Sequence, residues 1–139
     1  MTLTESLEWH THVSQVISQG KKWAGLLHWM GEELPCEVIS RLHIIYVRPT
    51  LEYGSPIWHG SLHEVNAVAL ERIQASVARM ILNAPQDLPK AIILAQLNWP
   101  PLRWRREIAC LTHLQRITYE KPEPCYSSLF PFSGTKRTT

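Results

Sequence analysis

Apolar residues that recur every three or four positions, interrupted by proline and glycine, restrict this chain to helices. Between Trp9 and Met30 the apolar positions are Trp9, Val13, Val16, Trp23, Leu27 and Met30. At about 100° per residue they fall on one face, with Thr11, Gln15, Ser18 and Lys22 opposite. Gly20 lies within the apolar stripe, so a neighbouring helix is expected to approach closely there. Gly31 is the expected stop. Trp9 and Trp23 are assigned to the core, whereas Trp29 projects to the polar side.

The same reading continues along the chain. A second helix is expected to start around Pro35 and to bury Val38, Leu42, Ile45 and Tyr46, with Glu37, Arg41 and Arg48 facing outward. Pro49 predicts a kink or break, because its ring crowds the preceding turn and it donates no backbone hydrogen bond. Gly54, Pro56 and Gly60 mark an irregular stretch. Ser61-Leu-His-Glu64 matches a capping box, predicting a third helix to about Leu82 with an apolar face of Leu62, Val65, Ala69, Ile73, Val77 and Met80. Asn83-Ala-Pro85 ends it. Asp87 is the expected cap of a short fourth helix through Leu97, and Pro100-Pro101 opens a fifth that runs to roughly Tyr119. Beyond Lys121 the composition shifts to Pro, Ser, Thr and Gly. The expectation is an all-α bundle of about five helices spanning 1–120, followed by a loose, flexible tail over 121–139.

A chain of 139 residues with 45% apolar and 19% charged residues suits one globular domain. Cys36, Cys110 and Cys125 are widely spaced and odd in number, which points away from a disulfide framework and towards a reducing, intracellular compartment. Lys136-Arg137 is too short to choose nucleus over cytoplasm. No segment is long and apolar enough to suggest a membrane span or signal peptide. His59 and His63 have ligand spacing, but Gly60 and Ser61 interrupt the helix between them and no Cys or Asp accompanies them. No metal or cofactor is therefore expected. Asp87 is the sole aspartate, so the paired aspartates that hold magnesium for polymerisation are missing, and no catalytic residue is assigned.

Charge is unevenly distributed. Residues 1–60 carry four Lys/Arg against six Asp/Glu, and residues 61–139 carry ten against six, for an overall +2. On the fifth helix Arg105, Arg106, His113 and Arg116 project within about 100° of one another, opposite an expected buried arc of Trp104, Ile108, Leu111 and Tyr119. Arg72 and Arg79 share a face of the third helix. Arginine forks suit phosphate oxygens and fix a protein on nucleic acid without reading its sequence. Arg72, Arg79, Arg105, Arg106 and Arg116 are the candidate nucleic-acid contacts.

Three stretches then carry a resemblance. They are Leu7-Glu-Trp9-His-Thr-His12-Val13, followed by Lys21 and Leu26-Leu27; Tyr46-Val-Arg-Pro49-Thr-Leu-Glu52-Tyr53-Gly54-Ser-Pro-Ile-Trp58, running on to Leu70-Glu71-Arg72-Ile73-Gln74 with Ala78-Arg79 and Ile81-Leu82; and Leu97-Asn-Trp99-Pro-Pro-Leu102 before Arg105-Arg106. In series, over roughly residues 7–119, they resemble the C-terminal, post-polymerase region of non-LTR (LINE-type) retrotransposon reverse transcriptases. The resemblance implies a thumb-like helical domain that packs beside the fingers and palm and helps to hold the template–primer duplex. The aspartate-bearing motif of that family would lie upstream of Leu7, so RNA-directed DNA polymerase activity is not expected of this chain. The expected partner is an RNA–DNA or DNA duplex, bound weakly and without sequence preference. The alternative is a helical protein–protein interaction module, meeting a polymerase core or a second copy through exposed apolar residues such as Tyr53, Ile57 and Trp58, or an inert relic with no nucleic-acid binding.

Overall fold

In the computed structural model, which describes residues 9–119, the chain is all-α. Helix α1, His10–Met30, buries His12, Val13, Val16, Ile17, Gly20, Ala24 and Leu27. The expected close approach at Gly20 is present: a Cβ added there would lie 2.5 Å from Leu51 Cδ2 and 3.2 Å from Ile73 Cδ1. Gly31 follows the helix in right-handed geometry, φ −66°. Its lack of a side chain serves packing instead of a left-handed stop, since an added Cβ would lie 2.8 Å from Met80 Sδ.

The second rod starts after Pro35 with α2, Cys36–Leu42, widens into a π-helical turn over His43–Val47, and resumes as α3, Arg48–Glu52. The Arg48 amide donates to the His43 carbonyl five residues back. This wide turn makes room for the Pro49 ring, whose missing N–H would break an ordinary helix. Thr50 Oγ1 donates to the Tyr46 carbonyl at 2.7 Å. The burial pattern differs from the expectation of an unbroken α-helix. Val38, Ile45 and Tyr46 are exposed, while Ile39, His43, Val47 and Arg48 are buried. The buried face is already set by Ile39 ahead of the turn, one position from the expected Val38, and the extra residue in the turn then brings Val47, Arg48 and Leu51 onto that face.

Tyr53 leaves helical geometry and Gly54 takes φ 65°, in the left-handed region that glycine tolerates. The single-turn helix α4, Ser55–Trp58, follows, then a 3₁₀ turn, His59–Ser61. Trp58 is fully buried and its Nε1 donates to the Tyr53 carbonyl at 2.8 Å, so it offers no exposed surface to a partner. Tyr53 and Ile57 remain exposed.

Helix α5, Glu64–Leu82, runs along α1 and also contacts α2, α6 and α7. Its buried residues are Leu70, Ile73, Gln74, Ala75, Val77 and Ala78, whereas Val65 is exposed. No Ser61–Glu64 capping box forms: Ser61 belongs to the preceding 3₁₀ turn, and His63 is the N-cap without a side-chain capping bond. Left-handed asparagines close two helices in the same way. Asn83, φ 48°, precedes Ala84, whose amide donates to the Arg79 carbonyl at 3.0 Å; Asn98, φ 53°, precedes Trp99, whose amide donates to the Leu94 carbonyl at 2.9 Å. Between them α6, Lys90–Gln96, is capped by Pro89, leaving Asp87 exposed in the turn before it rather than capping.

Helix α7, Leu102–Tyr119, meets the body through Leu102 and Arg106, its two buried residues. The arc of Trp104, Ile108, Leu111 and Tyr119, expected to be buried, is exposed. The tail expected over 121–139 lies outside the described residues.

Candidate nucleic-acid interface

The five candidate arginines do not share a surface. Arg72 and Arg116 are exposed, on different helices. Arg79 is half-buried and its Nη2 donates to the Leu88 carbonyl at 2.8 Å, tying α5 to the turn before α6. Arg105 pairs with Glu52 of α3 through both oxygens: Nε meets Oε1, and Nη2 reaches Oε2 at 3.0 Å. Arg106 is 1% exposed. A phosphate cannot reach the sealed Arg106 guanidinium, and Arg105 already holds a carboxylate, so the expected basic stripe on α7 is not an available surface. The stripe failed because the helix is turned about its axis: the Leu102–Arg106 edge faces the body and the larger apolar arc faces solvent.

The structure assembles a different group of basic residues. A hollow of about 530 Å³ between α5 and α6 is lined by His28, Arg72, Arg79 and Lys90 among its polar residues. A second, of about 400 Å³ between α1 and α5, is lined by Lys21, Gly25, His28 and Arg72. The two share His28, Arg72 and Ser76, and His28 Nε2 lies 2.9 Å from Ser76 Oγ across the α1–α5 junction. Among the described residues no aspartate or glutamate lines either hollow. Arg79 Nε has no hydrogen-bond partner among the described residues. Grouped cations without interleaved acids raise the local potential and attract polyanions. Sequence reasoning found Arg72 and Arg79 but missed Lys21, His28 and Lys90 as members, because they come from α1 and α6. Only packing brings them together.

On the opposite side of α5 lies a buried polar seam. Successive residues rotate by about 100°, so Gln74 points away from both Arg72 and Ser76. His43 is fully buried and stacks on Trp99, with ring centres 4.3 Å apart and planes 12° from parallel. The Arg48 guanidinium carbon lies 5.4 Å from the Trp99 ring centre, a cation–π contact. Gln74 Nε2 donates to the Pro100 carbonyl at 3.1 Å. Burial, with Arg48 nearby, holds the His43 pKa down at about 3, so its ring is neutral. Burial likewise lowers Arg48 and Arg106, while the Glu52 hydrogen bonds raise Arg105. At the far end, burial lowers His12, which packs 6.3 Å from the Trp58 ring. These groups are held by packing and by one another, and they brace α3, α4, α5 and α7.

Among the described residues no group of three or more His, Cys, Asp or Glu is placed to hold a metal, and no helix is long and apolar enough to cross a membrane. His63 packs against His10, ring centres 6.4 Å apart. No family model, curated protein or solved structure matches this chain.

Proposed function

We propose that this chain is a helical nucleic-acid-binding domain that holds the sugar–phosphate backbone without reading sequence. The observation that carries the reading is the acid-free groove that gathers Lys21, Arg72, Arg79 and Lys90 around His28. The resemblance to the thumb-like region of non-LTR reverse transcriptases supports the same role: supporting a template–primer, with the polymerase chemistry supplied elsewhere. The contact set differs from the one expected from sequence, retaining Arg72 and Arg79, losing Arg105 and Arg106, and leaving Arg116 outside the groove.

The test is fluorescence-anisotropy binding of labelled oligonucleotides across a salt series. Each phosphate neutralised contributes about −0.7 to −0.9 to the slope of log affinity against log salt. Replacing the exposed Lys21, Arg72 and Lys90 together by alanine should flatten that slope by about 2 and weaken binding at low salt. Arg79 is left intact because it also holds the Leu88 carbonyl. Arg116→Ala should change neither quantity. Equal slopes for the triple variant and the wild type would remove the groove from the function.

A second reading, as a protein-interaction module, has one observation in its favour. The α7 arc of Trp104, Ile108, Leu111 and Tyr119 is exposed in every member, and apolar surface of this kind marks interaction sites. Salt-insensitive self-association in analytical ultracentrifugation, abolished by Ile108→Glu, would favour it. A wild-type chain that stays monomeric at tens of micromolar would remove self-association.

A further inference from the structure

We infer that the strand held in the basic groove is unpaired, with one base stacked on Trp29. The inference rests on the phosphate-binding reading above and adds the form of the ligand.

The shape of the groove favours a single strand. The basic residues line two neighbouring hollows that share His28, Arg72 and Ser76, instead of a convex ridge. A duplex is stiff over many turns and cannot bend locally into such a recess without a deformation cost. A single sugar–phosphate chain is flexible and can follow it.

The second line is an exposed aromatic on α1, next in sequence to His28 of the groove. Trp29 is 70% exposed, and none of the ring–ring contacts among the described residues involves it. It follows His28, which lines both hollows, and stands one turn beyond Gly25, which lines the α1–α5 hollow. Four residues of helix rotate by about 40° beyond a full turn, so Trp29 and Gly25 share a flank of α1. A Cβ placed on Gly25 would meet nothing within 4 Å. The approach along that flank from the groove is therefore open. A cationic track beside an exposed indole is the combination that binds single strands: phosphates provide attraction and any base can stack, whatever its identity.

The other strongly exposed tryptophan shows why position matters. Trp104 lines a recess in which Glu64, Glu71 and Glu107 are interleaved with Lys90, Arg103 and Arg106, and Arg103 already bonds to Glu71 and Glu107, so it lacks an acid-free basic track beside it. Trp23 is unsuitable for another reason, since its ring already stacks on Tyr46, 5.6 Å between centres.

The experiment uses the full chain and three labelled probes of equal length: oligo-dT, an abasic deoxyribose-phosphate strand and a blunt DNA duplex. Trp29→Ala should weaken oligo-dT binding about tenfold, within the range of a single lost stacking contact. The same variant should bind the abasic strand as the wild type does, and Trp29→Phe should retain most of the oligo-dT affinity. Circular dichroism checks that the variants stay folded, as expected for an exposed side chain. If Trp29→Ala binds all three probes like the wild type, or if the wild type prefers the duplex, the inference is overturned while phosphate binding stands. A folded wild type that binds none of the three overturns both.

Discussion

Gly20 and Gly25 lie on the same helix, and replacing each by alanine should move stability in opposite directions. In both cases the helix gains propensity, about 1 kcal/mol for Gly to Ala in a helix interior. At Gly25 nothing opposes that gain, because the new methyl meets no atom within 4 Å. Gly25→Ala should therefore stabilise by about 0.5–1 kcal/mol. At Gly20 the methyl would lie 2.5 Å from Leu51 Cδ2 and 3.2 Å from Ile73 Cδ1. Leu51 is fully buried and Ile73 nearly so, so neither can swing into solvent to make room. Overpacking of this kind costs about 1–3 kcal/mol. Subtracting the propensity gain leaves a net loss of about 1 kcal/mol, and a gap of about 2 kcal/mol between the two variants. Urea unfolding followed by far-UV circular dichroism should show the midpoint falling for Gly20→Ala and rising for Gly25→Ala, with m unchanged. A Gly20→Ala protein as stable as Gly25→Ala would refute the claim that α1 and α3 are in contact at that position.

Acid should destabilise the fold through His43. Its folded pKa of about 3 lies below the ordinary 6.5, so between those values the unfolded chain binds a proton that the folded chain does not, and stability falls as pH falls. From pH 7 to pH 5 the loss due to this one ring is about 2 kcal/mol. His43→Phe keeps a planar ring against Trp99 and should reduce the pH dependence of the urea midpoint over that interval; an unchanged dependence would sink the assignment. The Glu52–Arg105 pair should behave as a brace and not as a ligand site. A double-mutant cycle with alanine at both positions should give a coupling of about 1 kcal/mol, discounted because the arginine is about a third exposed. Arg105→Ala should leave the salt slope of oligonucleotide binding unchanged, and a flatter slope would return Arg105 to the interface.

Helix existence and approximate extent were legible because the apolar spacing is strong, and the close approach at Gly20 followed from its place in the stripe. What periodicity could not supply was rotation. The second rod buries the Ile39–His43 edge from its start, which leaves Ile45 and Tyr46 in solvent, and the π turn over His43–Val47 then rotates Arg48 to the seam. On α7 the apolar residues outnumber the edge that the body accepts, and the rule that the larger apolar arc is buried chose the wrong side. The caps were misread for a related reason. Ser61 and Asp87 are good capping types, but His63 and Pro89 occupy the N-cap positions, and the chain path is set by the 3₁₀ turn and by tertiary packing. Charge was legible as composition and not as a site. Nothing local in Arg105 shows that Glu52, 53 residues earlier, will occupy it.

The packing also separates two kinds of residue within the stretches that carry the resemblance. His12 meets Trp58, Arg48 meets Trp99, and Glu52 meets Arg105. Each contact joins one of the three stretches to another, so the motif positions are largely the places where distant segments interlock. Lys21, Arg72 and Arg79 belong to the same stretches but line the hollows on the opposite side of α5, where no aspartate or glutamate is present among the described residues. A residue that interlocks segments should register in stability and leave binding alone, whereas an exposed cation in the groove should do the reverse. Under the proposed function, phosphate attraction is assigned to Lys21, Arg72 and Lys90, the exposed basic residues of the groove, with Trp29 adding the base stack. The buried arginines cannot contribute it, because exposing Arg106 to a phosphate would first require α7 to leave the body.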